Sequence, residues 1–317
     1  MAAKTLYRSD PGYIDRLNTG ANALDKELDA LVMRSNEYPV QGAQFVRNVT
    51  PKAGSYKEAQ YGTRYQLPVK SEDSDPVPVF NPVQGYSKSY TTTTYRLGAK
   101  AMKTLSEQEL FAYAMNAING IADSGKLLIE YSIANIINNA ATASGYDGAD
   151  GVPLAYASHP HERRQTGTWS NIGTPAALTH AAFSTARTAM RKRTDEFGNR
   201  MTMRASKLIV PADLEETANI IVASELKSGS SLNDKNVLKG SVEVVVYDYM
   251  TDTNAWFLQG NIKEDNRGIL FGDEVPMSIA PMTGVDTGTD VKWAERLRMR
   301  FVTGLFICKD IEYNAGA

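Results

Sequence analysis

The sequence predicts an α+β fold built around one long helix, and three observations support this prediction. Residues 104–144 carry a single helical pattern of apolar residues. Residues 49–97 are instead rich in Tyr, Thr, Val, Gly and Pro, which favour strands and turns. From about residue 150 onward, short strand patterns alternate with amphipathic helices. A chain with these three parts mixes helices and strands in separate segments, which is the α+β class.

The first 48 residues predict an extended arm. Their one helical pattern is short, and the rest of the segment is polar. The apolar residues of that pattern are Leu24, Leu28, Leu31 and Val32. The first ten residues lack the apolar core of a secretory signal, so we expect no export by that route.

Residues 49–97 predict two long strands joined by a tip. Six tyrosines and the run Thr91–Thr94 supply the aromatic and β-branched side chains that favour strands. The tip, residues 71–82, is acidic and then proline-rich, which suits a turn. Because a lone pair of strands is at best marginally stable in water, we expect it to lie on a neighbouring copy of the chain. The candidate inter-subunit contacts are Tyr56, Tyr61, Tyr65, Phe80, Tyr86 and Tyr90.

The long helix is the strongest pattern. Ser106 and Glu109 have the spacing of a capping box, and Gly145 is placed to cap the other end. Apolar residues recur between them at three- and four-residue steps, with one interruption at Gly125. They are Phe111, Met115, Ile118, Ala122, Ile129, Ile133, Ile136 and Ala140. Such a helix spans roughly 50 Å, so we interpret it as the spine of a protein that builds a larger structure.

Beyond the spine, two helices and several strands follow. The predicted helices are residues 179–194 and 212–226, the second opened by Pro211. The predicted strands are residues 207–211, 242–247, 255–258 and 292–311.

Composition is that of an ordinary folded chain. Hydrophobic residues make up 42% and charged residues 22% of the 317 positions, and no stretch approaches the ~20 apolar residues of a membrane span. Cys308 is the only cysteine, which excludes an intrachain disulfide framework. The net charge of −2 does not favour coating of DNA through the overall field.

Five short motifs follow one another in a characteristic order. They are DPVPVFNPVQGY (75–86), GVPLAYASHP with GTWSN (151–160 and 167–171), DEFG with LIVPADLE (195–198 and 208–215), NDKNVLKG (233–240) and VVVYDYMTDTNAWFL (244–258). This order, with the spine helix between the first two motifs, resembles the major capsid protein family of tailed bacteriophages, and in particular its Mu-like branch of head subunits. The family has the Hong Kong 97-type capsid fold.

The resemblance implies a division of the chain into five parts. Residues 1–48 would be the N-terminal arm, and residues 49–98 the extended β-loop that reaches over an adjacent subunit. Residues 99–149 would form the peripheral domain with the spine helix, and residues 150–290 the axial domain. Residues 291–317 would return as a strand to the peripheral domain.

The implied function is structural: the major capsid protein would self-assemble into an icosahedral shell enclosing double-stranded viral DNA. It would be no enzyme and would need no cofactor, metal or catalytic residue. Expected partners are the chain itself in pentamers and hexamers, a portal, a separate scaffolding protein, a possible decoration protein and packaged DNA bound without sequence specificity. No membrane partner is expected. The protein would be part of the virion, assembled in the host cytoplasm.

Other functions have weaker support in the residues. An encapsulin-like compartment shell would share the fold. A metal-dependent hydrolase would use His159, His161 and Glu162, but we expect these residues in an exposed loop. Asp286 and Asp290 could bind a cation, but we interpret their segment as a turn.

A cluster of basic residues could contact phosphates, although a solvated helix face or inter-subunit salt bridges explain it more simply. The cluster consists of Arg187, Arg191, Lys192, Arg193, Arg200 and Arg204.

Overall fold

The computed structural model describes ten segments of the chain. They are residues 40–61, 68, 84–102, 107–142, 145–161, 167–195, 197–227, 234–261, 267–282 and 291–316. The helices are α1 (Glu107–Asn138), α2 (His180–Lys192) and α3 (Glu215–Ala223). The strands are β1 (Arg47–Val49), β2 (Ser55–Tyr61), β3 (Gln84–Thr91), β4 (Thr93–Met102), β5 (His159–Pro160), β6 (Thr168–Trp169), β7 (Ala205–Val210), β8 (Glu243–Val246), β9 (Trp256–Gly260), β10 (Ile269–Pro281), β11 (Val291–Leu305) and β12 (Ile311–Asn314). Helices and strands are thus both present, as the α+β prediction requires.

Helix α1 confirms the spine, but it is shorter at its C-terminal end than predicted. It has 32 residues, which corresponds to about 48 Å. The prediction of Gly145 as its cap was wrong, because the helix ends at Asn138. The Asn138 side chain donates to the carbonyl of Tyr249 at 3.0 Å and accepts from the amide of Thr251 at 3.0 Å. These bonds tie the helix end to a distant loop. Ser106 of the predicted capping box lies outside the described residues.

The interruption of the apolar stripe at Gly125 marks a close contact. A Cβ atom at this position would lie 2.7 Å from Met277 Sδ and 3.0 Å from a methyl carbon of Leu297. Residue 125 is buried, so the side chains of β10 and β11 fill the space that a larger residue would need. The glycine is therefore part of the packing surface of the helix.

One sheet joins the C-terminal strands to the end of the predicted loop. Its strand order is β1-β10-β11-β4, with β1 parallel to β10 and β4 antiparallel to β11. Strand β4 pairs Thr93 with Phe301 and continues to pair Met102 with Val291. Residues 93–98, which we assigned to the extended loop, therefore have a strand partner within their own chain.

The second sheet has the order β12-β9-β7-β8, in which β7 is parallel to β8 and the other pairs are antiparallel. Its strands confirm the strand predictions for residues 207–211, 242–247 and 255–258. Helix α2 contacts β7 and β9, and α3 contacts β7 and β8. The shared core contains Phe183, Met190, Leu208, Val210, Ala218, Ile221, Trp256 and Leu258.

The chain divides into two compact units. The described residues of the first are Val40 and those of Thr92–Ile129 and Asp273–Phe301. Those of the second come from Gln41–Thr91, Glu130–Gly272 and Val302–Ala317. Among the residues that the structure describes, no helix combines the length and apolarity needed to cross a bilayer.

Candidate functional site: the base of the two-stranded loop

Strands β2 and β3 pair antiparallel and form what we call the loop base. The register places Tyr56 opposite Tyr90 and Tyr61 opposite Gln84, with an irregularity after Ala59. The predicted pair of strands is therefore present over these residues. Two of the six candidate contact residues, Tyr65 and Phe80, lie outside the described part of the chain.

Tyr90 is buried within its own chain rather than offered to a neighbour. Only 6% of its surface is exposed, and its hydroxyl donates to the carbonyl oxygen of Leu305 at 2.7 Å. A Cβ at position 304 would lie 2.4 Å from the Tyr90 ring, so Gly304 makes room for the aromatic side chain. Burial raises the pKa of the Tyr90 hydroxyl far above its usual range. Tyr90 thus anchors the loop base in a small core with Leu270 and Phe306.

Tyr56 stays half-buried on the paired strand. Its ring stacks on Tyr90 with centroids 6.4 Å apart, and its hydroxyl donates to the carboxylate of Glu58. Glu58 also forms an ion pair with Arg47 at 2.5 Å, in which both side chains are largely buried. Burial, and then the neighbouring Glu58, raise the pKa of Tyr56. This network fixes one face of the loop base to strand β1.

Tyr86 and Lys88 attach β3 to the segment 145–161. The Tyr86 hydroxyl donates to the carbonyl of His161 at 3.0 Å. The Lys88 ammonium donates to the carbonyl of Asp147 and lies 5.4 Å from the centre of the Tyr90 ring. Burial lowers the pKa of Lys88. The loop base is therefore held by its own chain at several points.

His159 contradicts our expectation of an exposed loop. It is only 2% exposed, and its Nδ1 lies 2.7 Å from the carboxylate of Asp150. Its ring stacks on Trp169 with centroids 4.2 Å apart and an interplanar angle of 13°. Pairing of β5 with β6 brings these two rings together, which the short spacing of the histidines did not reveal.

The hydrogen bonds around His159 determine which atoms donate. Asn171 donates from Nδ2 to the carbonyl of Leu154 at 2.5 Å, and its Oδ1 accepts from the amide of Tyr156 at 2.9 Å. The same Oδ1 lies 3.1 Å from His159 Nε2, so this nitrogen must donate. The other ring nitrogen, Nδ1, lies against the carboxylate of Asp150, so both nitrogens of His159 have polar partners.

The described residues contain no set of ligands that would support the metal hypothesis. No group of three or more His, Cys, Asp or Glu side chains there is arranged to hold an ion. Glu162, Asp286 and Asp290, which we considered as ligands, lie outside that part of the chain.

Arg193 is buried, unlike most members of the basic cluster to which we assigned it from the sequence. It is 8% exposed and forms an ion pair with Glu312. It also donates to the carbonyls of Lys309 at 2.5 Å and Ile311 at 3.2 Å. Arg193 is therefore a structural residue that joins the end of α2 to β12. Four other members are exposed: Arg191, Lys192, Arg200 and Arg204.

Sequence reasoning missed the polar residues that bind His159 and Arg193. Asp150, Asn171 and Glu312 were not singled out, because each lies far along the chain from the residue that it binds or belongs to another segment. One signal was present: His159 and Asn171 lie in the two halves of the second motif, residues 151–160 and 167–171. The structure brings these halves into one network.

Comparison with known proteins places this geometry in a family. A family model described as "Phage capsid protein" matches residues 93–315. No curated protein sequence gave a match. Among solved structures, the capsid of an empty GTA particle aligns with a TM-score of 0.53 and 13% identity, over 86% of this chain and 88% of that one.

Two phage structures give similar alignments. A protein of Microbacterium phage Oxtober96 aligns with a TM-score of 0.51 and 9% identity, over 87% of this chain and 90% of the other. The procapsid of bacteriophage JBD30 aligns with a TM-score of 0.51 and 10% identity, over 96% of this chain and 75% of the other. At such identities the likeness shows the fold, which is the Hong Kong 97-type capsid fold. Because the family model spans most of the sequence, the chain belongs to the phage capsid protein family.

Proposed function

We propose that this protein is the major capsid subunit of a tailed phage and assembles in many copies into an icosahedral shell around double-stranded DNA. The observation that carries the proposal is the family match over residues 93–315. The strand pair β2–β3 supports the proposal, because an extended loop whose base is anchored in one subunit can reach a second subunit.

The buried ionisable groups support a structural role without catalysis. His159 is engaged by Asp150 and Asn171, and Glu130 by the amide of Gly42 and the hydroxyl of Tyr247. Each of these side chains is used in a bond that positions backbone or another side chain. Such networks make a subunit rigid, which suits a protein whose copies must meet neighbours in repeated geometry.

The proposed division of labour follows the five parts of the chain. Residues 1–48 act as the arm. The extended loop lies on a neighbour through the part beyond its base, which includes Tyr65 and Phe80. Residues 99–149 with 291–317 form the peripheral domain, and residues 150–290 form the axial domain that meets other copies around the five- and six-fold axes.

The proposed partners are those of a phage head. They are further copies in pentamers and hexamers, a portal, a separate scaffolding protein and packaged DNA that is held without sequence-specific contacts. A decoration protein would bind the outside. Assembly would take place in the host cytoplasm.

Electron microscopy and sedimentation of the purified protein test this function. We expect rings or closed shells, because the part of the extended loop beyond its base is assigned to other copies. Scaffolding protein is added in a parallel sample, since shell closure can depend on it. A protein that stays monomeric at high concentration in both samples, with the tip residues 71–82 protected from hydrogen exchange, would contradict the proposal. Closed shells that contain a protein cargo instead of DNA would indicate the encapsulin-like alternative.

A further inference from the structure

The outward face of α2 is basic and lined by small residues. A shallow groove runs along it past Ala181, Thr185, Thr188 and Lys192. These four residues are exposed, and helix α2 contains three cations but no acidic residue. Burial, and then the neighbouring Arg191, lower the pKa of Arg187.

Helix α3 presents the opposite chemistry. Glu215 and Glu216 lie in its first turn, and Asp213 lies just before it; the helix itself contains no basic residue. All three carboxylates are exposed. One turn after Glu216 comes Ile220, a large apolar side chain that is 45% exposed. The inward residues of the same helix are in the core, so Ile220 marks a second, outer face.

Four of these charges have no ion-pair partner in the part of the chain that the structure describes. Within the described residues, neither Lys192 nor Asp213, Glu215 or Glu216 forms an ion pair. The groove on α2 also contains His180, whose buried Nε2 atom has no hydrogen-bond partner among those residues. An exposed isoleucine that follows a group of carboxylates is complementary, in both shape and charge, to a cationic groove of small side chains.

We propose that α2 of one copy packs against α3 of the next copy, antiparallel, and that this contact forms part of the ring of subunits. The inference rests on the proposed function and names the residues of one subunit contact. Because two different surfaces of the chain meet, the contact is head-to-tail, the arrangement that closes into rings.

The spacing of residues determines the direction of packing. Two cations, Arg191 and Lys192, lie in the last turn of α2, and two carboxylates lie in the first turn of α3, so charge pairing requires antiparallel helices. With Lys192 beside Glu216, a step of four residues brings Thr188 beside Ile220. A further step of three brings Thr185 beside Ala223. The apolar side chain then meets the small residues, and the two helix dipoles oppose each other favourably.

Helix dipoles within each subunit offer a simpler reason for the charges alone. Carboxylates at a helix start and cations at a helix end stabilise their own helices. That explanation accounts neither for the exposure of Ile220 nor for the small side chains along the outer face of α2. It also predicts that reversing both charges destabilises both helices and does not restore assembly. A contact between copies predicts instead that the double reversal restores assembly.

A charge swap separates the two explanations. Lys192→Glu and Glu216→Lys should each raise the protein concentration needed for assembly by about tenfold or more, because like charges would then face each other. The double variant carrying both changes should return close to the wild-type concentration, and 1 M salt should weaken the single effects. Circular dichroism verifies that each variant is folded. A double variant that assembles no better than the singles would overturn the contact.

Cross-linking tests the register in protein with nearly native charge. Cys308 is buried, so it does not interfere. Lys192→Cys with Glu216→Cys should give disulfide-linked ladders of subunits on a non-reducing gel. The matched control, Ala181→Cys with Glu216→Cys, places the thiols eleven residues or about 16 Å out of register and should give none. Ladders from the control alone, or from neither pair, would overturn the proposal.

The result for wild-type protein distinguishes a failure of the proposed function from a failure of the contact between α2 and α3. Wild-type protein that never assembles overturns the proposed function and this contact together. Wild-type protein that assembles, while the swap fails to rescue and the matched pair fails to cross-link, overturns only the contact between α2 and α3.

Discussion

At the scale of single residues, the polar side chains of this protein act mainly as structural connectors. His159 holds Asp150 and Asn171, which come from different segments, and stacks on Trp169. The sequence showed a His-Pro-His motif typical of an exposed loop, and this interpretation was wrong. The partners lie 9 and 12 residues away, and local spacing does not show that a hairpin brings them together.

His159→Ala should therefore reduce stability markedly. The change leaves the buried carboxylate of Asp150 without its partner and opens a cavity beside Trp169, which together cost about 3–5 kcal/mol. Denaturant unfolding of the protein measures the loss. His161→Ala is the matched control, because its carbonyl still accepts from Tyr86 and its side chain is partly exposed; we expect a loss below about 1 kcal/mol. Equal losses from both variants would contradict the assigned role of His159.

At the scale of elements, periodicity predicted the helices and strands well, whereas tertiary contacts determined their ends. The helix predicted over residues 179–194 is present as α2, and its residues Phe183, Ala186 and Met190 are all buried. The end of α1 was not, because Asn138 binds residues more than a hundred positions away. A capping partner at that distance leaves no local pattern in the sequence.

The same limit applies to the attachment of the N-terminal segment to α1. The carboxylate of Glu130 is fully buried and accepts from the amide of Gly42 at 3.1 Å and from the hydroxyl of Tyr247 at 3.0 Å. Ile133 on the next turn packs so closely on Gly42 that a Cβ there would lie 2.9 Å from it. Nothing in the apolar stripe indicated that a carboxylate on the spine would bind the chain 88 residues earlier.

Glu130 should make stability depend on pH. Burial raises its pKa in the folded protein, so the folded state keeps this proton at pH values where the unfolded state, with a pKa near 4.3, has lost it. Stability from this group is thus greatest at low pH and falls as pH rises from about 4.3 through the folded pKa, by at most ~1.4 kcal/mol per pH unit. Glu130→Gln cannot ionise and should lack this part of the slope.

The measurement compares the free energy of unfolding of wild type and Glu130→Gln at several pH values from 4 to 8. Other buried carboxylates, such as Asp310 and Glu312, also have raised pKa values and contribute to both curves. The informative quantity is therefore the difference between the curves, which should grow in favour of the variant as pH rises. A difference independent of pH would contradict the assignment.

At the scale of the whole molecule, one part of the chain is secured by its own subunit and another part is assigned to neighbours. The sequence indicated a pair of strands that needs an external partner. The structure shows that its base is anchored internally, by Tyr90 in a core, Tyr86 on His161 and Lys88 on Asp147. Sequence patterns show that strands are present, but they do not show which end of a strand pair its own subunit covers. The proposed reach to a neighbour thus belongs to the tip rather than to the base.

This division predicts different results for two kinds of change. Replacing residues 72–81 by a short Gly-Ser turn should leave the subunit folded, since the anchors of the loop base remain and loop tips tolerate change at small entropic cost. Assembly should fail or give fragile shells, because the deleted residues are those assigned to a neighbour. Ile133→Asp is the contrasting variant: residue 133 is 1% exposed, so an unpaired carboxylate there should unfold the subunit itself. Thermal melts followed by circular dichroism report folding, and sedimentation reports assembly. If the deletion melts the subunit while Ile133→Asp blocks only assembly, the core and the subunit contact have been assigned to the wrong parts of the chain.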